Sequence, residues 1–358
     1  MKILQVMAGS ERGGAETAFV DMCIAMHESG QTIEVVTRAN DLRVPQLKQA
    51  GIKVYTLPFG GTVDIFTPMA MKKIIKKFQP DIVQTWMSRA SWKTPAWSAD
   101  MNIPRYAVVS RLGGYYKLKY FKSADYFATI TPAIKTYLLD QGIEDERVRH
   151  INNFAETEDI ITPVRRADFE TPDDATLLIA LGRLHESKAF DTLIKSIINL
   201  PDVYLWIAGE GPQRPELETL IETLNLKSRV KLLGWRSDRA ALFQASDICV
   251  FPSRYEPFGT VFVQAWANKV PLITTDSDGP HQFVRPGQDG LMVQIDDIRA
   301  LQDAIAALIQ DKPLGQKLVE NGYTRYLSEF TKEKCLLAYL AFYDSIRAKM
   351  TQSLKNAQ

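Results

Sequence analysis

Residues 245–267 read ASDICVFPSRYEPFGTVFVQAWA. The apolar run from Ile248 to Phe251 is short enough for a buried parallel strand, and Pro252, Pro257 and Gly259 break the chain before a second apolar run opens at Val261. The pattern is strand, loop, helix. Thr260 is positioned to cap that helix, whose first amides lack intrahelical partners and, with the helix dipole, favour an anion above the strand end. Glu256, in the loop before those amides, is a poor phosphate ligand and a good acceptor for sugar hydroxyls; Gln264 follows eight residues later. Taken alone, the stretch also fits a solvated loop carboxylate and a surface amide, so the surrounding chain must decide.

Working toward the N-terminus, a strand over 176–181 runs into Gly182-Arg-Leu-His-Glu-Ser-Lys188. Arg183 and Lys188 leave a strand-end loop close enough to converge on one anion, Arg as a planar fork and Lys as a point charge, although surface cations are commonly only solvated. A strand over 203–208 ends in Gly209-Glu-Gly-Pro212, and one over 230–233 in Gly234-Trp-Arg-Ser237. Toward the C-terminus, a strand over 272–275 precedes Asp276-Ser-Asp-Gly-Pro-His281, read as a turn because a hard cation needs converging oxygen ligands that are not found here. Helical patterns over 298–308, 315–326 and 332–347 finish the chain.

The first half repeats the alternation, with strands expected at 2–8, 32–37, 53–57, 81–86, 106–109, 127–130 and 148–151 and helices at 16–28, 68–78 and 132–139. Such alternation implies α/β architecture with doubly wound, mainly parallel sheets that bind ligands beyond the carboxyl ends of their strands. The first such end carries Gly9-Ser-Glu-Arg-Gly-Gly-Ala-Glu16. Gly13 and Gly14 allow a sharp turn, but Glu11 stands where a dinucleotide fingerprint needs its middle glycine, which disfavours a cofactor-binding Rossmann site.

Composition sets the outer bounds. At 358 residues the chain should form about two domains, and 46% hydrophobic with 24% charged content is ordinary for a soluble protein. Residues 156–175 are charged, hold Pro163 and Pro172 and lack apolar periodicity, so they read as a linker between domains at 1–155 and 176–331. Three dispersed cysteines favour buried free thiols in a reducing compartment, and no run reaches transmembrane length, so a cytoplasmic protein is expected. Net charge is +1, yet residues 1–150 carry 20 Lys and Arg against 14 Asp and Glu, and the remainder 23 against 28. Two basic and greasy segments, 69–78 and 111–122, fit either ordinary solvated faces or reversible attachment to an anionic inner-membrane surface. Near balance over the whole chain speaks against nucleic acid.

The Glu256 stretch resembles the Glu-x7-Glu signature of retaining glycosyltransferases of family 4, which have the GT-B fold, two Rossmann-like domains facing a central cleft. The resemblance implies that Glu256 contacts the donor sugar, that Phe258, Gly259 and Thr260 belong to the donor site with the amides after the glycine binding its phosphate, and that Gln264, standing where the family has Glu, meets the nucleotide ribose. It further implies that Arg183 and Lys188 contact the departing diphosphate, with Ala189 where Gly is common. Gly209 and Gly211 lie by the nucleotide, and the base is read near Arg236. Gln282 replaces another family Glu. Gly13 and Gly14 are similar to the loop beside donor and acceptor, and Arg111-Leu-Gly-Gly-Tyr-Tyr116 to a subset acting on lipopolysaccharide-core sugars, which puts Arg111, Gly113 and Gly114 at the cleft. Asn153 matches the family's segment leading out of the first domain, and the last helix, about 332–358, is implied to cross back onto it.

The resemblance therefore implies a metal-independent transferase without cofactor, moving sugar from a UDP- or GDP-linked donor to a glycan or glycolipid acceptor. Rival readings are a nucleotide-sugar epimerase of the same fold, disfavoured by the absence of His between His27 and His150, and a degenerate sugar or lipid binder, motivated by Gln264 and Gln282.

Overall fold

The computed structural model describes residues 1–11, 13–155, 160 and 162–356; Arg12 of the glycine loop and residues 156–159 and 161 of the expected linker lie outside the described part. The chain divides into two compact units, Met1–Asn153 with Lys332–Gln358, and Phe154–Thr331.

The first unit is built on β1 (Lys2–Met7), β2 (Thr32–Thr37), β3 (Lys53–Thr56), β4 (Ile82–Trp86), β5 (Ala107–Leu112), β6 (Tyr126–Thr129) and β7 (Val148–His150). They pair in the order β3-β2-β1-β4-β5-β6-β7, all parallel. The inner strands are buried on both faces, which is why they read as continuous apolar runs rather than alternating ones. Strand order reverses between β1 and β4, leaving a crevice at their carboxyl ends. Helices Gly14–Glu28, Phe66–Phe78 and Pro132–Asp140 form as the pattern predicts; the last starts with Pro at its first turn and Thr131 accepting from the Ile134 amide at 3.2 Å. The final helix, Lys332–Asn356, belongs to this unit and buries Tyr339, Phe342, Tyr343 and Ile346.

The second unit holds β8 (Thr176–Leu181), β9 (Val203–Ala208), β10 (Val230–Gly234), β11 (Ile248–Phe251), β12 (Leu272–Thr275) and β13 (Leu291–Val293), parallel in the order β10-β9-β8-β11-β12-β13. Its reversal lies between β8 and β11, so the loops after Leu181 and after Phe251 flank the crevice.

Two expectations are corrected. The stretch 156–175 is not a free linker from Arg165 on: Arg166 donates to the carbonyls of Ala245 and Ala175 at 2.9 and 2.8 Å and pairs with Asp247 at 2.9 Å. Phe169 meets Trp206 edge-on, and the Trp206 indole donates to Thr171 at 3.0 Å. Side chain to backbone bonds of this kind leave no periodic trace. The turn expected at Asp276–His281 becomes a short helix, Asp278–Phe283, preceded by an Asp276 to His281 contact of 2.6 Å. Cys23, Cys249 and Cys335 are buried free thiols, as expected, and burial pushes Cys335 up to about 12.

Behind the helix Thr260–Ala267 sits an aromatic cluster of Phe258, Phe262, Trp266, Phe283 and Phe330, with neighbouring ring centroids 4.9 to 6.4 Å apart. Helix Lys312–Arg325 closes on it at Gly322, where an added Cβ would stand 2.3 Å from Trp266 Cδ1. Trp266 cannot retreat, because its indole donates to the Asp289 carbonyl at 2.7 Å. We predict that Gly322→Ala destabilises the second unit by about 1–3 kcal/mol despite Ala's better helix propensity. Calorimetric unfolding should show its transition lowered by several degrees; an unchanged midpoint would contradict this packing.

Candidate active site

The loop after β8 and the loop after β11 are tied into one body by Arg254. Its amide donates to the Ser187 carbonyl at 2.8 Å and its guanidinium to the Glu186 carbonyl at 2.7 Å, while Asp191 and Asp296 take its remaining forks at 2.9 and 2.8 Å. Two carboxylates raise Arg254 well above its usual value, and Arg254 in turn lowers Asp296. Sequence reading missed Arg254, although it lies only two residues before Glu256.

This clamp sets Lys188 against Glu256. The two side chains form an ion pair, each less than a fifth exposed, with Lys188 Nζ 5.7 Å from the Phe251 ring centroid. Arg183 stands exposed in the same loop and joins no ion pair among the described residues. Ala189 is fully buried with φ +52, a left-handed conformation that strains any residue bearing a Cβ. The turn is made without glycine, at the cost of local strain.

Gly259 is the N-cap of the helix Thr260–Ala267, with φ +92, and Thr260 is its first residue rather than its cap, a correction of the expected boundary. A Cβ on Gly259 would lie 2.6 Å from the Phe251 ring, so the sharp entry that exposes the helix amides requires glycine. Phe258 is 2% exposed within the aromatic cluster, which leaves only its backbone to face a ligand. Gln264 is half-buried one turn on.

Gly209 and Gly211 serve the chain itself. A Cβ on Gly209 would fall 1.8 Å from the Gly182 carbonyl oxygen, and one on Gly211 2.3 Å from that of Leu184. They are small because the loops after β8 and β9 touch backbone to backbone. Glu210 pairs with Arg214 at 2.7 Å, and Arg236 is held by Asp238, with Nε 2.8 Å from Oδ1. Gln282 donates to the Asp278 carbonyl at 2.9 Å.

In the first unit, Gly13 caps the helix Gly14–Glu28, and Glu16 folds back to accept from the Ser10 amide and hydroxyl at 2.7 and 2.9 Å, which fixes the glycine loop. Arg111 is a correction. It was expected to face the crevice, but it is 2% exposed, stacked 4.0 Å from the Trp86 centroid, with Nη2 donating to Asn153 and Tyr339 beside it. The register places Trp86 opposite Arg111, so the two side chains share a face of the sheet. Burial pulls this guanidinium below its usual value. Gly113 is half-buried and Gly114 buried beside it. Among the described residues no group of three or more His, Cys, Asp or Glu side chains is arranged to hold a metal ion.

Residues 162–325 match the model of glycosyl transferases group 1, and residues 12–159 that of Glycosyltransferase Family 4. The lipopolysaccharide core biosynthesis glycosyltransferase LpsE of Rhizobium meliloti is 33% identical over 95% of this chain and 98% of its own length. Among solved structures, a glycosyltransferase from Rickettsia africae superposes with a TM-score of 0.84 at 20% identity over 96% of this chain and 98% of its own. Anabaena HepE, solved in complex with UDP-glucose, gives 0.78 at 20% identity over 98% and 100%. With both halves matched and one curated relative similar end to end, the chain belongs to the glycosyltransferases, family 4 and group 1 in its two halves, with the GT-B fold.

Proposed function

We propose that the chain is a retaining, metal-independent glycosyltransferase acting on an envelope glycan or glycolipid of the lipopolysaccharide-core kind, with a UDP- or GDP-linked sugar as donor. The observation that carries this reading is the Lys188 to Glu256 contact at the β8/β11 reversal, beside the glycine-capped helix Thr260–Ala267. The similarity to LpsE supports the acceptor class, and the UDP-glucose complex of HepE supports the donor class.

In this reading the donor's diphosphate lies against Arg183, Lys188 and the first amides of the Thr260–Ala267 helix, and Glu256 accepts from hydroxyls of the sugar. The bond between the anomeric carbon and the diphosphate oxygen breaks, and Lys188 and Arg183 stabilise the charge gathering on that oxygen. The acceptor oxygen bonds to the anomeric carbon on the same face, and its proton passes to the departing phosphate, so neither a protein nucleophile nor a metal is required. Gln264 can accept from one ribose hydroxyl and donate to another.

Attachment to an anionic membrane surface belongs to the same proposal. Val63, Ile65, Phe66 and Met69 are 90%, 73%, 62% and 60% exposed, next to the exposed Lys72, Lys73, Lys76 and Lys77 on the helix Phe66–Phe78. Among the described residues no helix is long and apolar enough to cross a membrane. Each such lysine near anionic lipid contributes about 1 kcal/mol, enough in sum for reversible binding.

With a panel of nucleotide sugars and a truncated lipopolysaccharide acceptor, nucleoside diphosphate release should persist in EDTA. Arg183→Ala and Lys188→Ala should each lower turnover about 100-fold to 1000-fold. Turnover within threefold of wild type in both variants would sink the mechanism. Co-sedimentation with phosphatidylglycerol vesicles should be lost when Lys72, Lys73, Lys76 and Lys77 are all changed to Gln; retention would argue for solvated lysines instead.

A further inference from the structure

The reversal between β1 and β4 in the first unit frames a second pocket, mostly apolar in its walls, which the donor reading leaves unused. Gly9, Arg38, Trp86, Met87, Arg89 and Tyr116 are among the residues enclosing about 240 Å³, and the lining holds two arginines and no carboxylate. Arg38 follows the end of β2, and its Nε and Nη2 donate to the Pro58 and Phe59 carbonyls at 3.0 and 2.5 Å. Arg89, exposed after the end of β4, reaches the same Phe59 carbonyl at 3.4 Å. One neutral oxygen thus sits between two guanidinium groups.

That oxygen is held in place by burial and by bonding, against the strain of its own backbone. Phe59 is fully buried at φ +46, a left-handed conformation that strains a residue bearing a Cβ. Its amide is bonded to Thr67 at 3.1 Å, and Thr67 is in turn bonded to Asp64. Met87, in the pocket wall, is also left-handed, at φ +62. Burial, and after it the neighbouring Arg89, pull Arg38 below its ordinary value. The Trp86 ring in the wall carries the buried Arg111 as well, whose Nη1 has no hydrogen-bond partner. Glu16, the carboxylate close to Arg43, is committed to Ser10. Arg38 commits three of its five N–H donors, Nη1 also meeting the Gly9 carbonyl at 3.5 Å, whereas Arg89 commits one among the described residues. Two adjacent guanidinium groups without a counter-charge, Arg89 with most of its fork open, suit an oxyanion.

We propose that this pocket binds an anionic substituent of the acceptor, phosphate or carboxylate, seated between Arg38 and Arg89. The inference rests on the glycosyl-transfer reading above, which assigns the donor's diphosphate to Arg183 and Lys188 of the other unit. The acceptor is then a phosphorylated or acidic sugar rather than a neutral one, and the pocket selects it by charge.

The test is equilibrium binding of glucose 6-phosphate, glucuronate and glucose to the full chain by saturation-transfer NMR, with the Arg89→Gln and Arg38→Lys variants alongside. Wild type should bind at least one charged sugar at least 10-fold more tightly than glucose. That preference should fall by about 10-fold to 100-fold in Arg89→Gln, the loss expected for a charge-assisted bond, and by less in Arg38→Lys, which keeps the charge and loses the fork. Phosphate or carboxylate preference identifies which group the acceptor carries. An equal preference in wild type and Arg89→Gln, or none in wild type, overturns the subsite even if sugar transfer is demonstrated. A parallel fall in affinity for uridine diphosphate assigns the pocket to the donor and overturns it too. Charged-sugar binding by a chain that releases no nucleoside diphosphate from any donor overturns the acceptor role.

Discussion

A parallel sheet buried on both faces leaves its chemistry one place to go. Strand interiors are sealed by helices, so polar side chains can meet a ligand only where the strands end, and strand order decides which ends stand apart. Both units obey this constraint. The reversal at β8 and β11 brings Lys188 to Glu256, and the reversal at β1 and β4 brings Arg38 near Arg89. The loops between are irregular, yet their positions follow from the sheet.

What makes those loops rigid is backbone proximity rather than side-chain bulk. Gly209 and Gly211 exist to let neighbouring strand-end loops touch, and Gly259 to let the chain turn under the Phe251 ring into its helix. Ala189 and Phe59 hold the same kind of conformation without glycine's freedom, each supported by burial. Arg254 completes the scheme by spanning two carboxylates and two carbonyls, so that the Lys188 loop and the Glu256 loop are tied together. In the proposed transfer, a preorganised Lys188 is what stabilisation of a leaving group would use, because the cost of orienting it is met on folding.

Arg111 shows how a motif can be recognised and its geometry misjudged. An arginine at a strand end in a glycine-rich, aromatic loop looks like a ligand. Its register neighbour is Trp86, however, and the last helix, more than two hundred residues away in sequence, lays Tyr339 against it. Phe258 is similar: it belongs to the quoted motif, but its ring packs with Phe262 and Phe283. Neither outcome could be read from spacing, since both depend on contacts made by distant segments.

The sequence by itself determined the class of fold, the alternation of buried strands with helices, the strand-loop-helix carrying Glu256 and the family it resembles. These are local properties: apolar run length, breakers and caps act within a few residues. Tertiary structure alone decided that Lys188 reaches Glu256, that Arg254 locks both loops, that Arg111 is interior and that Arg38 and Arg89 share one carbonyl. Each joins residues from separate strand ends, and strand order is set by how whole helices pack on a sheet, an energy no short window of sequence contains.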